Sequence, residues 1–297
     1  YTYDLHKATT DDAEWTHYII GVTEEIKKLG KTLAGFDCMM YSNLPMGAGI
    51  SSSAALECGL AKGLNELFDL GLTDLEIIKL SQMAEHNYVG TKCGIMDQFA
   101  SVMSKENHVI QLDCESLDYK LLPFAIEPYK LLLLNTNVSH SLSTSEYNVR
   151  RAECEAGVSL LQKWYPEISS LRDVTLEQLQ KHQDAFEPVV FKRCEYVLEE
   201  NQRVEAAAKA LKEENLEEFG KLMYGSHEGL QHKYEVSCKE LDFLTDFSKN
   251  HDAVLGCRMM GGGFGGCTIN LIHEDEILAY IEAAEKAYRK EFNIKLT

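Results

Sequence analysis

The chain has 297 residues, enough for one large domain or two of ordinary size, and its 45% hydrophobic and 26% charged residues are those of a soluble globular protein. Lys and Arg number 29 against 47 Asp and Glu, a formal charge of −18, which argues against nucleic acid or an anionic membrane surface as partner. No apolar run reaches the ~18–20 residues of a spanning helix, and no signal-peptide pattern opens the chain.

The chain opens on strand-like YTYDL, residues 1–5. Residues 13–29 then place Trp15, Tyr18, Ile19, Val22, Ile26 and Leu29 at helical spacing. The stretch 35–45, GFDCMMYSNLP, alternates in its first half and reads as a strand running into a glycine loop. After that loop a helix is expected over Ala54–Phe68, with Leu56, Leu60, Leu64, Leu67 and Phe68 as its apolar stripe. Thr73 followed by Glu76 is a capping-box signature and predicts a second helix. HVIQLDC and YKLLPFAI read as strands, and YKLLLLNTNV, residues 129–138, opens a second domain. Residues 142–164 and 189–249 read as largely helical, AVLGCRMMGGGFGGCTINLI as strand, glycine loop and strand, and DEILAYIEAAEKAYRKEF as a closing helix. Strands and helices without regular βα alternation predict an α+β, two-domain protein, divided as 1–127 and 128–297. The nine cysteines are scattered, with no C-x-x-C, which predicts reduced thiols and a cytoplasmic protein.

Four stretches could carry chemistry. In LPMGAGISSSAALECGL, residues 44–60, Gly47 and Gly49 permit a close backbone approach, with Ala48 and Ile50 beside them. Ser51, Ser52 and Ser53 then put hydroxyls and N–H groups at a helix N-terminus, where phosphate is favoured. A single capping serine is the plainer reading, but one cap does not need three serines and two glycines. In AEHNYVGTKCGIMDQF, residues 84–99, Glu85 and Asp97 suit a cation ligand and a base near an acceptor hydroxyl, or are two solvated helix-end acids; His86 is taken as structural or at the surface. Gly261, Gly262, Gly263, Gly265 and Gly266 exceed what a hairpin requires, and predict a loop passing close to another segment, the first glycine loop among the candidates. The Ser139–His140–Ser141 cluster lacks a nucleophile elbow and is read as a polar substrate-contacting loop, while Arg150 and Arg151 are read as surface or ion-pair residues.

Taken together, these stretches resemble the GHMP family of small-molecule kinases, its galactokinases in particular. PMGAGISSSAA is similar to that family's P-x-G-x-G-[LI]-S-S-S-A phosphate loop and GGGFGGCTI to its glycine-rich third motif. CGIMDQF and SEYNVRR are the blocks that resemble galactokinases, and the likeness runs from about Trp15 to the C-terminus. The resemblance implies an N-terminal ribosomal-S5-like α/β domain, a C-terminal ferredoxin-like domain, and ATP-dependent phosphorylation of the anomeric hydroxyl of α-D-galactose. Residue by residue, it implies that Gly47, Ala48, Gly49, Ile50, Ser51, Ser52 and Ser53 wrap the ATP phosphates, with Trp15 near the adenine. Ser53 and Glu85 would hold Mg²⁺, and Asp97 would face the sugar O1 as base or electrostatic partner. Gly94 and Tyr147 would contact the sugar, and the glycines of 261–266 would shape the cleft. A monomer or weak homodimer is expected.

The family's opening block, resembling G-R-V-N-L-I-G-E-H-T-D-Y, does not occur in these 297 residues. The chain is therefore expected to lack the segment that supplies an arginine beside the transferred phosphate and further sugar contacts. Two other readings remain open at this point: an N-acetylgalactosamine or other sugar 1-kinase, and a catalytically silent sugar and ATP sensor.

Overall fold

The computed structural model describes residues 2–5, 14–45, 48–139 and 143–297, with the side chains of 139 and 143–145 excepted. Gly47, His140 and Ser141 lie outside the described residues. The chain divides into two compact units, Tyr1–Met46 with Ile50–Leu121, and Gly47–Gly49 with Leu122–Thr297. Mixed helix and sheet in each unit make it an α+β protein.

The first unit is built on three helices, α1 (Thr16–Lys28), α2 (Ser52–Leu67) and α3 (Asp74–Ala84). Their apolar faces meet in one cluster that includes Val22, Ile26, Leu60, Leu64, Ile77 and Leu80. The expected stripes hold in their middles and fail at their ends. Trp15 and Leu29 flank α1 and are about half exposed, and Leu67, in the last turn of α2, is 63% exposed. The buried face of α2 instead includes Ala54, Glu57, Cys58 and Ala61, because only side chains within about 100° of the core direction are covered. The capping box forms at α3: Glu76 N–H donates to Thr73 Oγ1 at 3.2 Å, and Thr73 N–H donates to Glu76 Oε2 at 2.8 Å.

A π-helical turn, Glu85–Val89, extends α3, and Gly90, at φ 88°, closes it. Helix α4 (Met96–Met103) follows, then a two-stranded ladder of β1 (His108–Leu112) and β2 (Tyr119–Pro123). Phe99 of α4 is fully buried against Ile78 and Ile95, with Ile110 and Leu112 of β1 packed around it, which fixes α4 and its first-turn Asp97. Neither residues 2–4 nor residues 35–43 form the expected strands. Alternation says which face a strand would bury, but a strand exists by pairing, and no described strand lies beside these segments. Met39 and Tyr41, 96% and 93% exposed on one side, and Met40, 45% exposed on the other, show that neither face is covered.

The second unit is centred on an antiparallel sheet in the order β3 (Tyr129–Ser139), β5 (Gly265–His273), β4 (Val254–Met259). Tyr129 faces His273 and Asn135 faces Cys267 across β3–β5, and Met259 faces Thr268 across β4–β5. β5 is central, so eight of its nine positions being apolar, small or hydrogen-bonded polar follows from burial on both faces. Helices α5 (Ser143–Leu161), α6 (Leu176–Lys181), α7 (Pro188–Lys212), α8 (Leu216–Gly229), α9 (Lys239–Lys249) and α10 (Ile277–Phe292) complete the unit. Tyr280, Ala284 and Tyr288 of α10 pack with Leu134, Leu244 and Ile272. A second π-helical turn, Leu230–Tyr234, continues α8 and ends at Glu235 in the left-handed region, φ 54° and ψ 51°.

Candidate active site

The serine run starts α2 in an unusual way. Ser51 occupies the N-cap position at φ 53° and ψ 45°, and its side chain makes no capping hydrogen bond. The plain capping reading therefore fails at this position. A left-handed serine costs about 1–2 kcal/mol and persists where its surroundings impose it. Ala55 N–H donates to Ser51 C=O at 3.1 Å, so the helix begins directly behind the strained residue. The N–H groups of the first turn keep the partial positive charge that favours an anion.

Within the same unit, Ser53, Glu85 and Asp97 come together. Glu85 starts the π-helical turn and is buried. Burial raises its pKa, and the Asp97 charge adds to that, while hydrogen bonds from Cys93, Gln98 and Ser53 pull it back. Gln98 Nε2 donates to Glu85 Oε2 at 3.2 Å. The loop carrying Gly94 is held at Cys93, whose carbonyl accepts from Gln82 Nε2 at 3.1 Å and bonds His86 Nε2 at 2.7 Å. Of the two readings of His86, structural or at the surface, this contact favours the structural one. Gly94 itself is exposed, three residues ahead of the half-buried Asp97.

A hydroxyl and a carboxylate are oxygen donors of the kind Mg²⁺ takes. Among the described residues no group of three or more His, Cys, Asp and Glu could hold a metal ion by itself. The pair Ser53–Glu85 fits the other mode, one carboxylate plus substrate phosphates.

Three residues of this cluster escaped the sequence reading. Glu57 is fully buried on α2, and neither of its carboxylate oxygens finds a hydrogen-bond partner among the described residues; Gln98 lies against it and eases its burial without reaching bonding geometry, its Oε1 also unpartnered. Burial, and then the Glu85 charge, push the Glu57 pKa up to about 9. Tyr18 of α1 is pushed up to about 12 by burial, then by Glu85 and Glu57. The signal for Glu57 was present, a lone acid in the apolar run AALECGL.

The raised Glu57 pKa makes a stability prediction. The unfolded carboxyl ionises near 4.5 and the folded one near 9, so its share of stability is full at low pH and is lost as pH rises between those values. In EDTA, Glu57→Gln should become more stable than wild type with rising pH, by on the order of 1 kcal/mol per pH unit from pH 5 to 9. Urea midpoints measured across that range check it, and a difference that stays flat would mean that Glu57 folds ionised.

Most of the other candidate residues lie in the second unit. β4 and β5 form a hairpin, as the plainer reading had it, but the glycines of its loop meet residues 48–49. A Cβ on Gly261, at φ 74°, would stand 2.9 Å from Gly49 Cα, and one on Gly49, also at φ 74°, would stand 3.0 Å from Met260 O. A Cβ on Gly266 would lie 3.2 Å from the carbonyl carbon of the buried Ala48. The two glycine loops therefore touch backbone to backbone, which side chains would forbid. Gly263 makes a second close approach, to Val236. Gly262 is looser: a Cβ there would meet Tyr147 Cδ2 at 3.6 Å, an ordinary contact. Gly265, at φ 133°, starts β5. Arg150 is buried and ion-paired, whereas Arg151 is exposed and pairs with Glu155 at 2.9 Å. Trp15 stands half exposed at the head of α1, and Ile50 and Ser52 are partly buried.

Comparison with known proteins gives these residues their context. The family description "GHMP kinases N terminal domain" matches residues 17–105, and "GHMP kinases C terminal" matches residues 207–290. A galactokinase from Thermotoga neapolitana is 46% identical over 283 residues, 95% of this chain and 78% of that relative. The chain belongs to the galactokinases of the GHMP kinase family. Another galactokinase, from Thermosipho africanus, is 43% identical over the same shares. The crystal structure of Lactococcus lactis galactokinase complexed with galactose matches with a TM-score of 0.92 at 32% identity, covering 99% of this chain and 76% of that one. The Methanococcus jannaschii mevalonate kinase, at 18% identity and a TM-score of 0.60, shares the fold. This galactokinase-family chain thus has the fold class that its motifs implied. Among its described residues no helix is long and apolar enough to cross a membrane.

Proposed function

We propose that the chain transfers the γ-phosphoryl group of ATP to the anomeric hydroxyl of α-D-galactose, forming galactose 1-phosphate and ADP. The observation that carries this reading is the 43–46% identity to galactokinases over 95% of the chain. Phosphoryl transfer leaves little covalent work to a protein, so positioning and charge compensation dominate. Residues 47–53 would wrap the phosphates, using the unpaired N–H groups at the head of α2 and the backbone approach that Gly49 permits. Local positive potential of this kind is needed in a chain whose net charge of −18 repels anions.

Ser53 and Glu85 would hold Mg²⁺, which when bound neutralises charge on the phosphate oxygens. Gln98 keeps the Glu85 carboxylate turned toward Ser53, and the fully buried Glu57 backs that arrangement. Asp97, on the rigid first turn of α4, would take the proton of the anomeric hydroxyl. Gly94 and Tyr147 would contact the sugar, Gly261, Gly262, Gly263, Gly265 and Gly266 would shape the cleft, and Trp15 would lie near the adenine. Division into domains 1–127 and 128–297, a monomer or weak homodimer, and a cytoplasmic location with nine free thiols complete the reading.

Coupled ADP release by the full-length protein with galactose, N-acetylgalactosamine and glucose tests it. Turnover with galactose at least tenfold above that with the other two is expected. A shift in Tm on adding galactose with no ADP release would overturn the enzymatic reading in favour of a sensor, and preference for N-acetylgalactosamine would overturn the sugar assignment.

A further inference from the structure

We propose that Arg193 is a positioning residue for the glycine-rich loop 261–266, acting through Glu235 and Val236. The inference rests on the proposed function for its catalytic consequence, but its structural part stands on the second unit alone.

Arg193 lies on α7 and is 2% exposed, yet each of its three nitrogens is engaged. Its Nε donates to Glu153 Oε2 at 3.0 Å, Nη1 to Lys233 C=O at 2.5 Å and Nη2 to Glu235 Oε2 at 2.7 Å. Arg150, on α5, completes the set: Nε donates to Tyr234 C=O at 2.8 Å and Nη2 to Glu235 C=O at 3.0 Å. Two guanidinium groups therefore satisfy three consecutive carbonyls, 233 to 235, at the end of the second π-helical turn. The last carbonyls of a helix have no partner within it, and buried ones must find donors elsewhere.

The residue these donors hold is strained. Glu235 is not glycine, yet it sits in the left-handed region, and such a conformation persists only where the surroundings impose it. The reversal at Glu235 sends the buried Val236 back along the turn, where its N–H donates to Leu230 C=O at 3.0 Å. Val236 C=O then accepts from Phe264 N–H at 2.7 Å, inside the glycine-rich loop. The two backbones are so close that a Cβ on Gly263 would stand 2.1 Å from that same oxygen. From the loop, Gly261 meets Gly49 and Gly266 meets Ala48. An unbroken series of contacts runs from the Arg193 guanidinium to residues 48–49.

Burying a guanidinium is costly, and an apolar side chain at this position would pack at lower electrostatic cost. What an apolar side chain cannot do is present a planar fork of donors to a carbonyl and a carboxylate at once. Lysine, with its single ammonium point, cannot do so either. The arginine is therefore explained by the backbone geometry that it imposes on 233–236 and, through Val236, on the loop.

Hydrogen exchange and steady-state kinetics on full-length Arg193→Met and Arg193→Lys test this. Amide exchange within 261–264 should quicken at least tenfold in both variants, with β4 and β5 amides unchanged. The KM for ATP should rise at least fivefold, with the KM for galactose within twofold. If Met does not fold, Lys carries the test. Unchanged exchange in 261–264 in a folded variant would overturn the proposal, as would a lowered Tm with unchanged kinetic constants per folded molecule. Faster loop exchange in a protein whose wild type does not phosphorylate galactose would support the positioning role and fail the proposed function alone.

Discussion

Asp97→Ala in the full-length protein is expected to lower kcat about 10²–10⁴-fold, the contribution of a positioned general base, while the Kd for ATP stays within about threefold. A thousandfold loss corresponds to about 4 kcal/mol of transition-state stabilisation. The structure makes the variant a clean test. Asp97 is half-buried in the first turn of α4, and the helix is anchored by Phe99 and Ile95 rather than by the carboxylate. Removing the charge also relieves one of the influences that raise the Glu85 pKa, so the partner carboxylate ionises more readily. The fold and the phosphate-binding parts should therefore survive. ADP release and calorimetric ATP binding check both halves, and a kcat within tenfold of wild type would remove Asp97 from the role of base.

Gly263→Ala should be nearly as damaging, through the backbone alone. The new Cβ would sit 2.1 Å from Val236 O, at a residue whose φ is 88°. Left-handed strain for alanine costs about 1–2 kcal/mol, and losing the Phe264–Val236 hydrogen bond costs about another 1 kcal/mol. Neither partner can move freely, because Val236 is buried and its neighbour Glu235 is held by two arginines. The loop must then leave its seat on residues 48–49, and kcat/KM is expected to fall at least about 100-fold. Gly262→Ala is the control: its Cβ meets only a tyrosine ring edge at 3.6 Å, so thermal stability should stay within about 1 °C of wild type. Equal loss of Tm and activity in both variants would show that the glycines act only as flexible linkers. Kinetics and thermal unfolding of the pair decide it.

Much of the architecture is written locally. Thr73 and Glu76 announced α3 because a capping box is a three-residue device whose geometry needs nothing beyond the helix end. The strands at 129–138 and on either side of the glycine loop were legible from their short runs of apolar residues, 131–134 in the edge strand β3 and most of the central β5. Leu67 and the segment 35–45 were misread for the opposite reason. Periodicity reports a capacity to be buried or paired, and the neighbour that realises it lies far away in sequence.

The candidate site divides along the same line. The sequence by itself determined which residue types sit in which order: three serines at a helix mouth, Glu85 and Asp97, and a run of glycines. Those are properties of side-chain chemistry and backbone freedom, and they were enough to indicate the kinase family. Only the tertiary structure decided that Ser51 is strained rather than a cap, that Glu57 is a buried acid behind Glu85 with no hydrogen-bond partner among the described residues, and that Gly261 and Gly266 rest on Gly49 and Ala48. Burial, charge coupling and backbone contact between residues more than 200 positions apart depend on distances in space, and a linear pattern carries none of them.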